Sequence, residues 1–159
     1  MIPSRLVNIL WWMAYFAVGL TLQLRFAGVD ALIPGIMLSC QEGRRQQTIW
    51  LCLCALLIQE GTGSLAFGGE VLWYGSLLLL FSLGKLFFVT GSLFFVVLLA
   101  SVLGVLHSCM LYALSSLQGY SLDSYHLVQQ AMAQTLLIPP LYAVASLARK
   151  RFLNYEYGI

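Results

Sequence analysis

Apolar residues run along this chain in long blocks, separated by a few short polar breaks. Six apolar segments can be drawn: Leu6 to Leu24, "LVNILWWMAYFAVGLTLQL", then about Ala27 to Gln41, Thr48 to about Glu60, about Glu70 to Gly84, Leu86 to about Leu117, and about His126 to Ala148. Apolar runs of about 18 residues or more are read as membrane-crossing helices. From Val71 to Leu117 the only charged residue is Lys85. The first segment follows Arg5 and has the look of a signal peptide. Its apolar run exceeds the roughly 7 to 15 residues of a signal core, and only a poor small-residue site at Val29 and Ala31 follows. It is therefore expected to be a retained helix. The second segment is short, and Pro34 marks its first turn or a kink. The sixth carries Pro139 and Pro140 in its middle, a further expected kink.

Composition settles the solvent. With 60% of residues apolar and 9% charged, there is too little polar surface to coat a globule in water. The expected class is an all-α integral membrane protein, a six-helix transmembrane bundle with short, Gly/Pro-interrupted spans, forming one transmembrane domain over residues 1–159. Cys40, Cys52, Cys54 and Cys109 all lie in apolar runs. They read as small packing residues, with neither disulfide nor metal geometry.

The net charge of +2 says less than its distribution. In a six-span arrangement Arg5, Arg44, Arg45, Lys85, Arg149, Lys150 and Arg151 fall on one side, and Arg25 on the other. The positive-inside rule makes the first side cytoplasmic, so both termini are expected in the cytoplasm. Arg44, Arg45, Arg149, Lys150 and Arg151 then serve as cytoplasmic anchors. The connections holding Asp30, Glu60, Glu70 and Asp123 face outward. No nucleic-acid footprint is present, because the one basic cluster, Arg149 to Arg151, is juxtamembrane.

Inside this frame the stretch "LLIQEGTGSLAFGGE", Leu56 to Glu70, places two glutamates around a Gly-rich turn. Crossing the hydrocarbon takes about 20 residues at roughly 1.5 Å each. Thr48 to Gly84 must hold two crossings and this turn, so the turn is expected below the outer surface, with Glu60 in the outer third of the membrane. A carboxylate there needs an interior position, a proton or a partner. Two readings stay open. Glu60 either ends its helix by reaching the headgroups or the turn's own amides, or it forms, with Gln59, Gly61, Gly63, Glu70 and Trp73, a contact site for a partner or ligand. Glu70 alone reads as a solvated residue in a helix's first turn, favoured by the helix dipole.

Other chemistry is thin. His107 lies in an apolar helix and reads as a packing residue, and His126 as interfacial. Ser64, Ser92 and His107 supply the residue types of an intramembrane serine protease without a motif. No His or Asp/Glu pair has i, i+4 spacing on an interior face. No catalytic, cofactor or metal site is therefore assigned. The tryptophans and tyrosines suit an interfacial belt, although Trp11 and Trp12 lie deeper, where they could pack against another protein.

Three stretches together resemble MreD, the small polytopic rod shape-determining family of the bacterial elongation machinery. They are "ALIPGIMLS" (Ala31 to Ser39), whose proline opens a short second span, "LLIQEGTGSLAFG", where Glu60 stands where the family commonly has aspartate, and "LLIPPLYAVASLARKRF" (Leu136 to Phe152), a proline-bearing final helix with a basic end. Thr48, Cys52 and Ala55 occupy positions where the family has glycines. The resemblance implies a non-enzymatic scaffold of the bacterial inner membrane. It would bind the bitopic protein MreC and support peptidoglycan synthesis with RodA and a penicillin-binding protein. The bundle is also similar to the substrate-capture subunits of energy-coupling-factor vitamin transporters. Their coupling pattern, alanine followed four residues later by asparagine, is absent, since Ala14 is followed by Val18 and Ala17 by Thr21. A dry groove for a protein and a pocket for a vitamin would be built from similar residues.

Overall fold

A computed structural model describes residues 4–26, 28–62, 68–119 and 123–157, with the side chains of 4, 5, 62 and 153–157 outside that description. Among the described residues the chain forms six helices: α1 (Ser4–Arg25), α2 (Ile33–Glu42), α3 (Arg45–Thr62), α4 (Gly69–Phe87), α5 (Leu93–Leu117) and α6 (Ser124–Tyr157). Four of them, α1, α4, α5 and α6, are long and apolar enough to cross a membrane.

The punctuation follows local chemistry. Pro34 sits in the first turn of α2, where its missing N–H is no loss. Gly43 ends α2 in the left-handed region at φ 71°, its N–H donating to the Cys40 carbonyl, a conformation that favours glycine. The fifth helix begins at Leu93, not Leu86. Phe88 is extended, and the Ser92 hydroxyl caps the next helix by accepting from the Phe95 N–H at 3.2 Å. Helix α6 runs on through Pro139 and Pro140 without ending.

Two expectations about length change. Helix α3 starts at Arg45 and α4 extends to Phe87, giving them 18 and 19 residues, or about 27 Å each by helical rise. Length therefore no longer forces the intervening turn below the surface. The short element is α2, whose ten residues span only about 15 Å. It is the most enclosed helix, with every residue from Ile33 to Ser39 buried.

Helix α2 packs on α6 and α3, α5 packs on α6 and α4, and α3 packs on α4. The core is Leu32 just ahead of α2, Ile36 and Met37 of α2, Leu77 and Phe81 of α4, Phe95, Leu99 and Leu103 of α5, and Ile138 of α6. Gly104 lets α5 lie against α6, since a Cβ there would come within 2.8 Å of the Ala131 carbonyl. Small residues of this kind admit close helix contact in lipid. Apolar side chains such as Leu79, Leu86, Phe87, Val105 and Leu136 point outward, the reverse of a water-soluble surface and the arrangement a lipid solvent favours.

Hydrogen bonds establish which helix ends lie together. Asn8 of α1 bonds Gln47 of α3, Arg149 of α6 bonds Glu42 of α2, and Gln41 reaches the Thr90 carbonyl between α4 and α5. At the opposite end Gln23 of α1 and Trp73 near the start of α4 both bond Asp30, and Gly28 lies against Gln130 of α6. Arg44, Arg45, Lys85, Lys150 and Arg151 thus cluster at the first end, and Arg25 stands at the second. The two polar layers are separated along α1 by roughly 22 Å of helical rise, against about 30 Å of hydrocarbon.

Candidate functional site

The second end is organised around Asp30, which the sequence reading placed only on an outward connection. Asp30 is 7% exposed. Its Oδ1 accepts from the Gln23 amide at 2.8 Å and the Leu32 N–H at 2.9 Å. Its Oδ2 accepts from the Trp73 indole at 3.1 Å and the Tyr74 hydroxyl at 2.8 Å. A carboxylate has about four lone-pair sites, and all are used. The bond to Leu32, two residues on, is the local turn that aspartate favours, and it sits just ahead of α2, at the positive end of that helix. Burial of the charge is tolerable because four donors replace water.

Beside Asp30 lies a cavity of about 200 Å³ lined by Gln23, Gly28, Val29, Asp30, Gln59, Glu70, Trp73 and His107. Three of the sequence candidates, Gln59, Glu70 and Trp73, meet here. The His107 ring packs on Trp73 with centroids 4.7 Å apart, and its Nδ1 is buried without a hydrogen-bond partner among the described residues. Glu70 is half-buried, not solvated. No described arginine or lysine lines the cavity. Among the described residues no three His, Cys, Asp or Glu side chains converge as metal ligands would.

Glu60 and Gly61 lie outside that lining. Glu60 Oε1 accepts the Gly68 N–H at 2.8 Å, which ties the end of α3 to the approach to α4. Gly61 is exposed, with no described residue within 4 Å of its Cβ direction. Gly63 lies outside the described residues.

The first end carries a second polar layer. Arg149 is 2% exposed, and its Nε donates to Glu42 Oε1 at 2.7 Å. The guanidinium also reaches Asn8 and stands 4.8 Å from the Trp11 ring centroid and 5.3 Å from that of Trp12. Of the expected anchors, Arg149 is therefore drawn inside, while Arg44, Arg45, Lys150 and Arg151 are exposed. Burial pushes the Glu42 carboxyl up. The bonds from Arg149 and Gln47 and the nearby charges of Arg149 and Arg44 outweigh this and hold it below the ordinary carboxylate range. Gln47 Nε2 donates to Glu42 at 2.9 Å.

Between α1 and α3 runs a groove of about 670 Å³, walled by Ile9, Trp12, Met13, Phe16, Ala17 and Leu20 on one side and Trp50, Leu51, Cys54 and Ile58 on the other. Asn8 and Gln47 close its first end. The Trp12 indole N–H is buried with no acceptor among the described residues.

Sequence reasoning missed Asp30 and the inward turn of Arg149. The available signal was a single acid in "GVDALIPG", directly before a proline-initiated apolar helix, and the polar Asn8 and Gln23 interrupting an apolar α1.

Fold and polar layers together define an all-α, six-helix protein of the multi-span membrane class. Comparison with protein-family models, with curated proteins and with solved structures finds no match to this chain.

Proposed function

We propose that the protein is a non-enzymatic scaffold of the MreD kind in a bacterial cytoplasmic membrane, with both termini in the cytoplasm. In this reading it seats the single transmembrane helix of an MreC-like partner in the groove between α1 and α3 and supports peptidoglycan synthesis alongside RodA and a penicillin-binding protein. The observation that carries the reading is the groove itself. From Asn8 to Leu20 it follows α1 for about 18 Å, or three helical turns, with apolar walls and a polar stop at the basic end. Ala17 admits close approach of a second helix.

The test is photo-crosslinking from a benzophenone amino acid at Met13 in native membranes, with mass spectrometry of the adduct. A single-span protein with a large outer domain supports the scaffold, and Ala17→Trp, which fills the groove, should abolish the adduct. Adducts to lipid alone in both proteins would remove the groove from the reading.

A second reading, a substrate-capture subunit of an energy-coupling-factor transporter, is favoured by one observation: the cavity at the Asp30 end, where Gln59, Glu70 and Trp73 meet. Co-purification in mild detergent separates the two. ATPase subunits with a bound vitamin would select transport.

A further inference from the structure

The cavity beside Asp30 has walls of one charge sign and unequal saturation. Asp30, more than nine-tenths buried, spends its acceptor capacity on Gln23, Leu32, Trp73 and Tyr74. It contributes a fixed negative field without needing a cation of its own. Glu70 shares the cavity wall and makes no hydrogen bond to another described residue. His107 Nδ1, on the same wall, is buried without a partner among the described residues. The Gln23 amide nitrogen is committed to Asp30, which leaves its carbonyl oxygen as an acceptor.

Such a wall offers acceptors to a cation and few donors to an anion. A primary ammonium has three N–H donors and no acceptor, matching the Glu70 carboxylate, the Gln23 carbonyl and, with the imidazole proton on Nε2, the Nδ1 of His107 in number and kind. A quaternary ammonium has no N–H and leaves all three unanswered. The volume of about 200 Å³ equals several waters at about 30 Å³ each, room for an aminoethyl group. We propose that this cavity is a binding site for a protonated primary amine, held by Glu70 and His107 in the field of the buried Asp30. Two sources present that chemistry: the headgroup of phosphatidylethanolamine and a free small amine.

The full chain is reconstituted in phosphatidylglycerol nanodiscs at pH 7 and titrated calorimetrically with ethanolamine and, in parallel, with tetramethylammonium. In the second arm, protein released from discs containing phosphatidylethanolamine is weighed by native mass spectrometry. Ethanolamine is expected to bind one saturable site at least tenfold more tightly than tetramethylammonium. Glu70→Gln should weaken it tenfold or more, and Glu60→Gln, which keeps an acceptor for the Gly68 N–H and removes only a neighbouring charge, should weaken it less than about threefold. Retention of phosphatidylethanolamine by the wild type and not by Glu70→Gln assigns the lipid headgroup as the source. Saturable ethanolamine binding without lipid retention assigns the free amine. Equal binding of the two ammonium ions, or the absence of both saturable ethanolamine binding and Glu70-dependent lipid retention, overturns the proposal. The comparison of the two ammonium ions needs no variant, so it stands even if Glu70→Gln folds poorly.

Discussion

Glu42 and Arg149 lie 107 residues apart in the chain, yet their side chains meet at 2.7 Å with the guanidinium almost wholly enclosed. The pair closes α2 onto α6. Asn8 and the faces of Trp11 and Trp12 complete the enclosure from α1. Arginine's planar fork and weak hydration suit a site that combines a carboxylate with aromatic rings.

Removing one member of such a pair strands the other as a buried charge. Glu42→Ala should lower stability by about 3 to 5 kcal/mol. The double variant Glu42→Gln with Arg149→Met, which removes both charges while keeping volume, should recover most of that loss. Thermal unfolding of the detergent-solubilised variants measures the order, and a double variant as unstable as Glu42→Ala would contradict the account.

Acid should act at the same place. The Glu42 carboxyl is held below its ordinary 4.5 in the folded protein, so its contribution to stability is fully present above about pH 4.5 and is lost as pH falls through the lower folded value. Between pH 6 and pH 3 the wild type should lose melting temperature more steeply than Glu42→Gln. Parallel slopes would show that other carboxylates dominate.

The Asp30 cluster makes a separate prediction. Tyr74→Phe deletes one charge-assisted bond to Oδ2 and should cost about 1.5 to 3 kcal/mol. Asp30→Leu leaves the Trp73 indole, the Gln23 amide and the Leu32 N–H without their acceptor and should cost more. Unfolding midpoints of the two variants check the ranking.

Glycines separate packing from propensity. Gly104→Ala drives a methyl to 2.5 Å from Thr135 Oγ1 and 2.8 Å from a backbone oxygen of α6. Helix α5 must then move off α6, with an expected loss of about 1 to 3 kcal/mol. Gly75→Ala, with no described residue within 4 Å, should gain about 0.5 to 1 kcal/mol from the unfolded side. Equal effects at the two positions would refute the close crossing.

What the sequence determined by itself is the part of the protein that depends on one dimension. Apolar run length set the number and order of helices. The proline at the start of α2 marked a first turn, and the alternation of basic and non-basic connections sorted the two ends of the molecule. These are properties of neighbouring residues and of the solvent. Length arithmetic failed because hydropathy alone begins α3 at Thr48 and ends α4 at Gly84, whereas polar Arg45, Gln46 and Gln47 are already helical ahead of Thr48 and α4 runs on past Lys85 to Phe87.

Tertiary structure decided which polar residues work together. Gln59 and Glu70 join Trp73 at the cavity, while Glu60, next to Gln59 in the chain, turns to the Gly68 amide. Adjacent residues on a helix point about 100° apart, so neighbours in sequence part company in space. Asp30 draws its donors from α1, from the turn before α2 and from α4, and Arg149 finds its carboxylate on another helix. A buried charge is tolerable only where several elements bring hydrogen bonds to one point, and that convergence exists only once the helices have packed.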